Sequence, residues 1–533
     1  MTTMQDASVT TPATATTAAV HDLHPDARAA LAGAVATLAA LGVSELIAGI
    51  LPGATSLVAA VGQIVIDLQP PGAKDVVVGL FGTNDKLALE LLVVTVAVVI
   101  GALLGVLARR RYVLASVGFA AFGVLGFVAA LGDPLADPAI VAASSAVAVG
   151  IALWVLGWLL GPRPSTAGGT STVTSMPDWS RRSFLLRTGI IGVGAVIAGI
   201  GGRRLLDSQR VAPDTAAATI PPASETVPSL TSAMDLSAAI PDLTPIVMPN
   251  DRFYRIDTAL LTPRVDTAGW TLRIHGLVDR ETTLSWAELV ALPMFEQYVT
   301  ISCVSNEVGG KLVGNAKWTG IRLRDVLALA GVQASASQLV GRSVDGWTAG
   351  MPMVWVMDSE REPMIAVKMN DQPLPPIHGY PARLIVPGLY GYVSATKWLT
   401  ELELTTWEAF DGYWVPLGWS KEGPILTQSR IDTPSQGAVV TGKTAIAGVA
   451  WAPDRGVAKV EVAVDGAWQV ARLSSPISDA TWVQWVVDWD ATPGPHVLTV
   501  RATDGTGATQ PQQPTPPAPD GARGWDSIQV TGG

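Results

Sequence analysis

The sequence predicts a multi-domain protein with an N-terminal α-helical transmembrane bundle, an α+β domain and a C-terminal all-β immunoglobulin-like sandwich. Three observations predict this. A chain of 533 residues exceeds what one hydrophobic core usually organises. The composition, 49% hydrophobic with only 15% charged residues, is too apolar for an average soluble enzyme, and the excess sits in the first 205 residues. Beyond them, short alternating apolar runs replace the long ones.

Residues 1–28 are rich in Thr and Ala without a signal-peptide layout and are expected to be a disordered cytoplasmic tail. Residues 29–204 form the bundle, with long apolar runs at 29–50, 86–108, 112–132, 139–160 and 187–202, close to the roughly 17 to 25 residues a spanning helix needs. Five crossings follow. The run from Ala54 to Ile66, interrupted by Gln63 and closed by Asp67, Pro70 and Pro71, fits a re-entrant or interfacial piece better than a sixth span. Arg109, Arg110 and Arg111 follow the second span, and Arg163, Arg181, Arg182 and Arg187 precede the fifth. The excess of positive charge on cytoplasmic loops therefore places the amino terminus inside and everything after Arg204 outside, with Arg203 and Arg204 a mild violation. The expected location is a multi-pass protein of the cell membrane with its soluble domains extracytoplasmic. Charged residues within the spans are nearly confined to Glu45 and Glu90, so the bundle reads as an anchor in the lipid bilayer and a docking surface rather than a proton path.

Residues 205–245, rich in Ala, Thr, Ser and Pro, read as an extended tether. Residues 246–426 show short alternating strands, including Trp270 to Ile274, Ala382 to Val386 and Leu399 to Leu404, and an amphipathic helix near Leu323 to Ala330, which makes an α+β domain. Residues 427–533 read as strands only: Thr444 to Trp451, Val457 to Val464, Trp482 to Trp489, His496 to Thr503 and Ser527 to Thr531, with a Pro-rich loop at 510–519.

A net charge of -10 and the lack of a basic, aromatic-interleaved stripe exclude a nucleic-acid partner. The single cysteine, Cys303, excludes an internal disulfide and any multi-cysteine zinc or iron–sulfur site. A lone cysteine is most often a small buried hydrophobe. Cys303 ends a strand-like run, Tyr298-Val-Thr-Ile-Ser-Cys, where polar residues begin. The five histidines, at 21, 24, 275, 378 and 496, avoid every expected span, so the bundle offers no bis-histidine haem site and no haem is expected in this chain.

Several segments together resemble one family. Cys303-Val-Ser-Asn-Glu-Val-Gly-Gly, followed by Gly314-Asn-Ala-Lys-Trp-Thr-Gly-Ile-Arg-Leu-Arg-Asp-Val-Leu, is similar to the molybdenum domain of the sulfite oxidase family, and Pro249-Asn-Asp-Arg-Phe-Tyr-Arg to its opening motif. The stretch from Asn370 through Ile377-His-Gly-Tyr-Pro-Ala-Arg to Tyr392, with Lys397-Trp-Leu, resembles the family's most recognisable run. The resemblance implies an α+β molybdopterin domain in which a Cys303 thiolate ligates molybdenum. It further implies that Asp251, Tyr254 and Arg255 approach the pterin or metal, that His378 and Arg383 hydrogen-bond the pterin and its phosphate, and that Ser394, Thr396 and Lys397 close the phosphate end. Ser343 is a further cofactor candidate. An Arg fork, a Lys point charge and loop N–H groups suit a phosphate. Taken singly, His378 could be a turn histidine beside Pro381 and Arg383 an ordinary strand cation.

Trp318 and Tyr413 match family positions beside the substrate pocket, although Tyr413 could equally be an aromatic packed near Trp414 and Trp419. The catalytic set so implied is Cys303, Tyr413, Trp318 and Arg255. Ser305 and Val308 depart from the family's Cys-x-Gly-Asn-x-Arg, and Val308 in place of Arg removes a cation for an anionic substrate. The implied activity is two-electron oxygen-atom transfer on a small substrate, with sulfur compounds a candidate class, cycling between Mo(VI) and Mo(IV). The alternatives are reduction of S-oxides with the same molybdenum–molybdopterin cofactor, or a membrane-tethered binding protein that retains the fold without catalysis. Electrons need a separate partner, a cytochrome or quinone-linked protein. The sandwich, beginning Ser429-Arg-Ile-Asp-Thr-Pro, resembles the family's dimerisation domain and so suggests a homodimer. Ser180-Arg-Arg-Ser-Phe-Leu-Leu-Arg-Thr-Gly189 resembles a twin-arginine export signal, as in some actinobacterial membrane proteins. Its alternative is ordinary positive-inside anchoring.

Overall fold

The computed structural model describes residues 24–70, 80–81, 85–133, 135–161, 181–209 and 220–533. The expected tail up to residue 23, Arg163, Ser180 at the head of the twin-arginine-like segment, and residues 210–219 of the expected tether lie outside them.

Six helices open the described chain: α1 (Pro25–Ile50), α2 (Leu57–Asp67), α3 (Asp85–Arg110), α4 (Tyr112–Ala130), α5 (Pro138–Leu160) and α6 (Arg181–Gln209). Five are long and apolar enough to cross a membrane, and α2, at 11 residues, is not. Helix α1 packs against α3, α5 and α6 through small residues. A Cβ on Gly42 would lie 2.3 Å from Ala195 O, and one on Gly49 2.3 Å from Gly202 O. The α1–α6 backbones approach so closely only because no side chain intervenes, which is how helices gain dispersion contacts in lipid. At one end of the bundle Arg109 pairs with Asp26, and the guanidiniums of Arg28 and Arg187 stack on Phe184 and Trp158. The catalytic domain docks at the other end, where Arg203 donates to Glu90 at 2.6 Å. That carboxylate answers the charge that departs from the positive-inside pattern.

Helix α6 runs on to Gln209. Residues 220–245, expected as part of an open tether, instead lie along the soluble domains. Glu225 bridges to Phe295, and Ile240 and Leu243 are buried against Ala447 and Val486. Their few apolar side chains suffice to dock a segment that has no periodicity of its own.

The α+β domain contains two sheets. Strands β1 (Thr271–Gly276), β2 (Thr282–Ser285), β5 (Gln338–Ser343), β6 (Thr348–Pro352) and β10 (Leu399–Thr405) form one, in the order β2-β1-β10-β5-β6, with β1 and β10 parallel. The other comprises β3 (Met294–Ser302), β4 (Val313–Arg322), β7 (Met364–Met369) and β8 (Gln372–Pro373) in that order, with β9 (Arg383–Ile385) beside β7. Short helices α7 (Trp286–Val290), α8 (Leu323–Ala328), α9 (Met353–Val356) and α10 (Gly391–Ser394) link them. Helix α7 carries a full capping box, Ser285 with Glu288, which satisfies two amide groups at its start.

The terminal domain is a sandwich. One sheet is β11 (Gln428–Thr433), β13 (Gly442–Trp451), β17 (Val483–Ala491) and β16 (Arg472–Leu473). The facing sheet is β12 (Val439–Val440), β19 (Asp526–Gly532), β18 (Gly494–Asp504), β14 (Val457–Val464) and β15 (Ala467–Val470). Between the two sheets, Ile446 and Trp485 of the first are buried with Val460 and Val500 of the second. The sandwich is tied to the catalytic domain: Trp482 Nε1 donates to Ile246 O at 2.8 Å, its amide donates to Thr300 Oγ1 at 2.8 Å, and Arg361 pairs with Asp454 at 2.6 Å.

Candidate active site

Strand β3 ends at Ser302, and the next residue, Cys303, is half-buried at the floor of a cleft. Its amide donates to Leu312 O at 2.8 Å, and its Sγ lies 2.9 Å from Ser305 Oγ. The loop keeps its shape because buried Asn306 accepts from the Leu312 amide at 2.7 Å and donates to Gln428 of the sandwich at 3.2 Å. The thiol is thus presented by a loop fixed from two domains.

Tyr254, Ser343, Arg383 and Lys397 line the same cleft as Cys303. Arg383, on β9, is 3% exposed. It donates to His378 O at 3.0 Å and Ala395 O at 3.5 Å, while its Nε has no partner. Among the described residues no carboxylate faces the guanidinium, and burial lowers its pKa to about 10. A buried cation without a counterion is costly, so the cleft favours an anionic occupant. Lys397 Nζ donates to Ile377 O at 3.0 Å and pairs with Asp257 at 3.1 Å; burial lowers its pKa to about 8. Burial also pushes the Tyr254 hydroxyl up, keeping it a neutral donor.

The other expected residues stand back from the cleft. His378 is buried, and its Nε2 donates to Asn250 O at 2.8 Å. Burial lowers its pKa to about 4, so the ring is neutral and braces the opening motif. Ser394 Oγ donates to Tyr390 O at 3.0 Å within α10, and Thr396 Oγ1 donates to Gly341 O at 3.4 Å. Asp251 is exposed outside the cleft lining. Arg255 turns away from Cys303 to pair with Asp257 at 2.9 Å and Thr262 at 3.1 Å.

Two expected catalytic aromatics, Trp318 and Tyr413, lie outside the cleft lining. Trp318 is fully buried: its Nε1 donates to Val299 O at 3.2 Å, and its ring lies 5.1 Å from the Arg383 guanidinium. It supports the arginine from beneath, because β4 alternates side chains between the sheet's two faces and this position points into the core. Tyr413 is drawn away by a partner on the bundle, its hydroxyl donating to Asp67 of α2 at 3.2 Å. The neighbouring Trp414 lines the cleft in its place. Val308 is not in the lining and packs beside Gly524 of the sandwich.

The structure adds residues that sequence reasoning missed. Asp257, Asp345, Trp347, Tyr392, Trp398 and Trp419 line the cleft. Burial alone would raise the Asp257 pKa, but Lys397, Lys86 and Arg255 around it hold its carboxyl well below the usual carboxylate range. Its only sequence signal is its place two residues after Arg255, and its partners lie 140 and 171 residues away. Asp345 is the opposite case, with burial pushing its carboxyl up.

Residues 259–414 match the family profile of the oxidoreductase molybdopterin binding domain, and residues 428–500 match that of a bacterial Ig domain. The uncharacterized oxidoreductase YuiH of Bacillus subtilis is 33% identical over 165 residues, covering 31% of this chain and 79% of that protein. The chain belongs to the sulfite oxidase family of molybdopterin oxidoreductases. Mitochondrial sulfite oxidase of Homo sapiens is 30% identical over 321 residues, covering 51% of this chain and 58% of that protein. The sulfane dehydrogenase SoxCD from Paracoccus pantotrophus aligns over 51% of this chain and 76% of its own, at 23% identity and a TM-score of 0.46. The chain spans about half the length of the mammalian sulfite oxidases it matches. The cleft suits the family's cofactor: a soft thiol lies at the floor, and an unpaired buried guanidinium N–H and a buried lysine stand ready for an anionic group.

Proposed function

We propose that this protein catalyses two-electron oxygen-atom transfer on a small substrate at the outer face of the membrane. The observation that carries the reading is the Arg383 Nε–H, buried and unpartnered in the cleft that holds Cys303 and Lys397. When bound, the molybdenum–molybdopterin group supplies the two-electron redox chemistry and the site of oxygen exchange. Cys303 would hold the metal as thiolate, with the Ser305 hydroxyl donating to its sulfur. Arg383 and Lys397 would neutralise the cofactor's phosphate, Tyr254 and Ser343 would donate to its polar edge, and His378 would fix the Asn250 turn. Asp345, its carboxyl pushed up by burial, can hold a proton nearer neutral pH than an exposed aspartate. Trp347, Trp414 and Trp419 would exclude water from the reacting centre.

One observation favours a neutral substrate, such as an S-oxide or thioether, over sulfite. Apart from Arg383 and Lys397, which this reading gives to the cofactor, the cleft lining holds no cation. The outward orientation is supported by the arginines gathered at the bundle end away from the catalytic domain. Partners are a separate electron carrier and, by family analogy, a second copy through the sandwich.

Molybdenum analysis and pterin fluorescence after oxidation, followed by a screen of sulfite against sulfoxides, test this reading. Both cofactor signals with faster turnover of a neutral sulfoxide or thioether are expected. Protein lacking molybdenum and pterin would overturn the enzyme reading, and a reporter fused after Gly533 found in the cytoplasm would overturn the orientation.

A further inference from the structure

A cavity of about 550 Å³ lies where the bundle meets the catalytic domain. Its walls come from α2, the turn after α4, the end of α6 and residues 258–267. Ala60, Ile64, Leu206 and Leu260 give it an apolar side, and Gln63 and Asp133 a polar one. Thr258 and Asp345 line both this cavity and the cleft that holds Cys303, so one layer of residues separates the two. Trp398 on the cleft side donates its Nε1 to Pro376 O at 2.8 Å, and Pro376 lines the cavity.

The chain has one cysteine and five histidines, none of the latter in a span. Among the described residues no group of three or more His, Cys, Asp or Glu side chains could hold a metal. A carrier seated close to the cleft would exchange electrons with it directly. The cavity lies at the ends of helices long and apolar enough to cross a membrane, and its volume is in the range of about 300 to 1,000 Å³ typical of small-molecule sites.

We propose that this cavity binds the ring of a lipid-soluble quinone, making the membrane domain the electron-exchange site of the enzyme. The inference rests on the oxygen-atom-transfer reading above. In the oxidative direction the substrate takes one oxygen atom from water, releasing two electrons and two protons, and the quinone takes up both pairs to become a quinol. In the reductive direction a quinol gives up the same two electrons and two protons, and the oxygen atom leaves as water. Gln63 can hydrogen-bond a ring oxygen, and Asp345, shared by the two spaces, can carry a proton between them.

The full-length protein in detergent, irradiated with a short-chain azidobenzoquinone and analysed by peptide mass spectrometry, tests the proposal. Cross-links in residues 52–67 and 258–267 are expected, displaced by excess unlabelled decylbenzoquinone. Thr267→Trp, which fills the cavity rim, and Gln63→Leu, which keeps its volume but removes the amide, should each weaken labelling roughly tenfold. Labelling spread over the lipid-facing sides of α3 to α5, labelling not displaced by unlabelled quinone, or undiminished labelling in a folded variant would overturn it. Labelling needs neither molybdenum nor turnover, so its failure leaves the oxygen-transfer reading intact. Protein without molybdenum would still report on the quinone.

Discussion

Lys86, in the first turn of a helix long and apolar enough to cross a membrane, forms a 2.5 Å ion pair with Asp257 of the catalytic domain. Asp257 in turn holds Lys397 in the cleft at 3.1 Å. The bundle is thereby linked through one buried carboxylate to a cation of the cleft.

Removing that carboxylate strands charges. Asp257→Asn leaves Lys397 buried without its counterion, and about 3 to 5 kcal/mol of stability should be lost, as when one partner of a buried pair is deleted. Thermal unfolding of the full chain measures this, and Lys86→Met should give a smaller loss in the same direction.

The same pair fixes a pH dependence. The folded-state pKa of Asp257 lies below its unfolded value of about 3.9. Its stabilisation is therefore complete above that value and fades as pH falls below it. Acid-unfolding curves should show this fading in the native protein and lack it in Asp257→Asn.

Arg383→Met should separate the apo and cofactor-bound proteins. Without an anion the buried guanidinium is poorly compensated, so the apo variant should be within about 1 kcal/mol of the native apo protein or more stable. Pterin content after purification should fall sharply. A large loss of apo stability would show that the carbonyl hydrogen bonds outweigh the unpaired charge.

Lys397 is charged below its lowered pKa of about 8 and neutral above it. Retention of a phosphate-bearing group should weaken as pH rises through that value, read as pterin released on dialysis across the range.

Cys303→Ser replaces a thiolate by a hydroxyl that stays protonated at neutral pH and is a poor soft-metal ligand. Activity should be lost, while pterin retention, which depends on Arg383 and Lys397, should fall less. Full activity would overturn the ligand assignment.

The sequence by itself determined the three-part architecture, because spanning length, strand alternation and turn residues are local properties that neighbours cannot hide. It also determined Cys303, Tyr254, Ser343, Arg383 and Lys397 as site candidates, since their order in the chain carries the family resemblance, and all five line the cleft. Tertiary structure alone decided that Trp318 supports Arg383 from the core and that Tyr413 reaches to Asp67, since a side chain's direction depends on what packs around it. It alone brought Lys86, Asp257 and Lys397 together and placed a cavity between bundle and cleft. Ion pairs between residues 140 and 171 positions apart leave no periodicity or spacing to read; the first arises only when the catalytic domain folds on itself, and the second only when the helical bundle packs onto it.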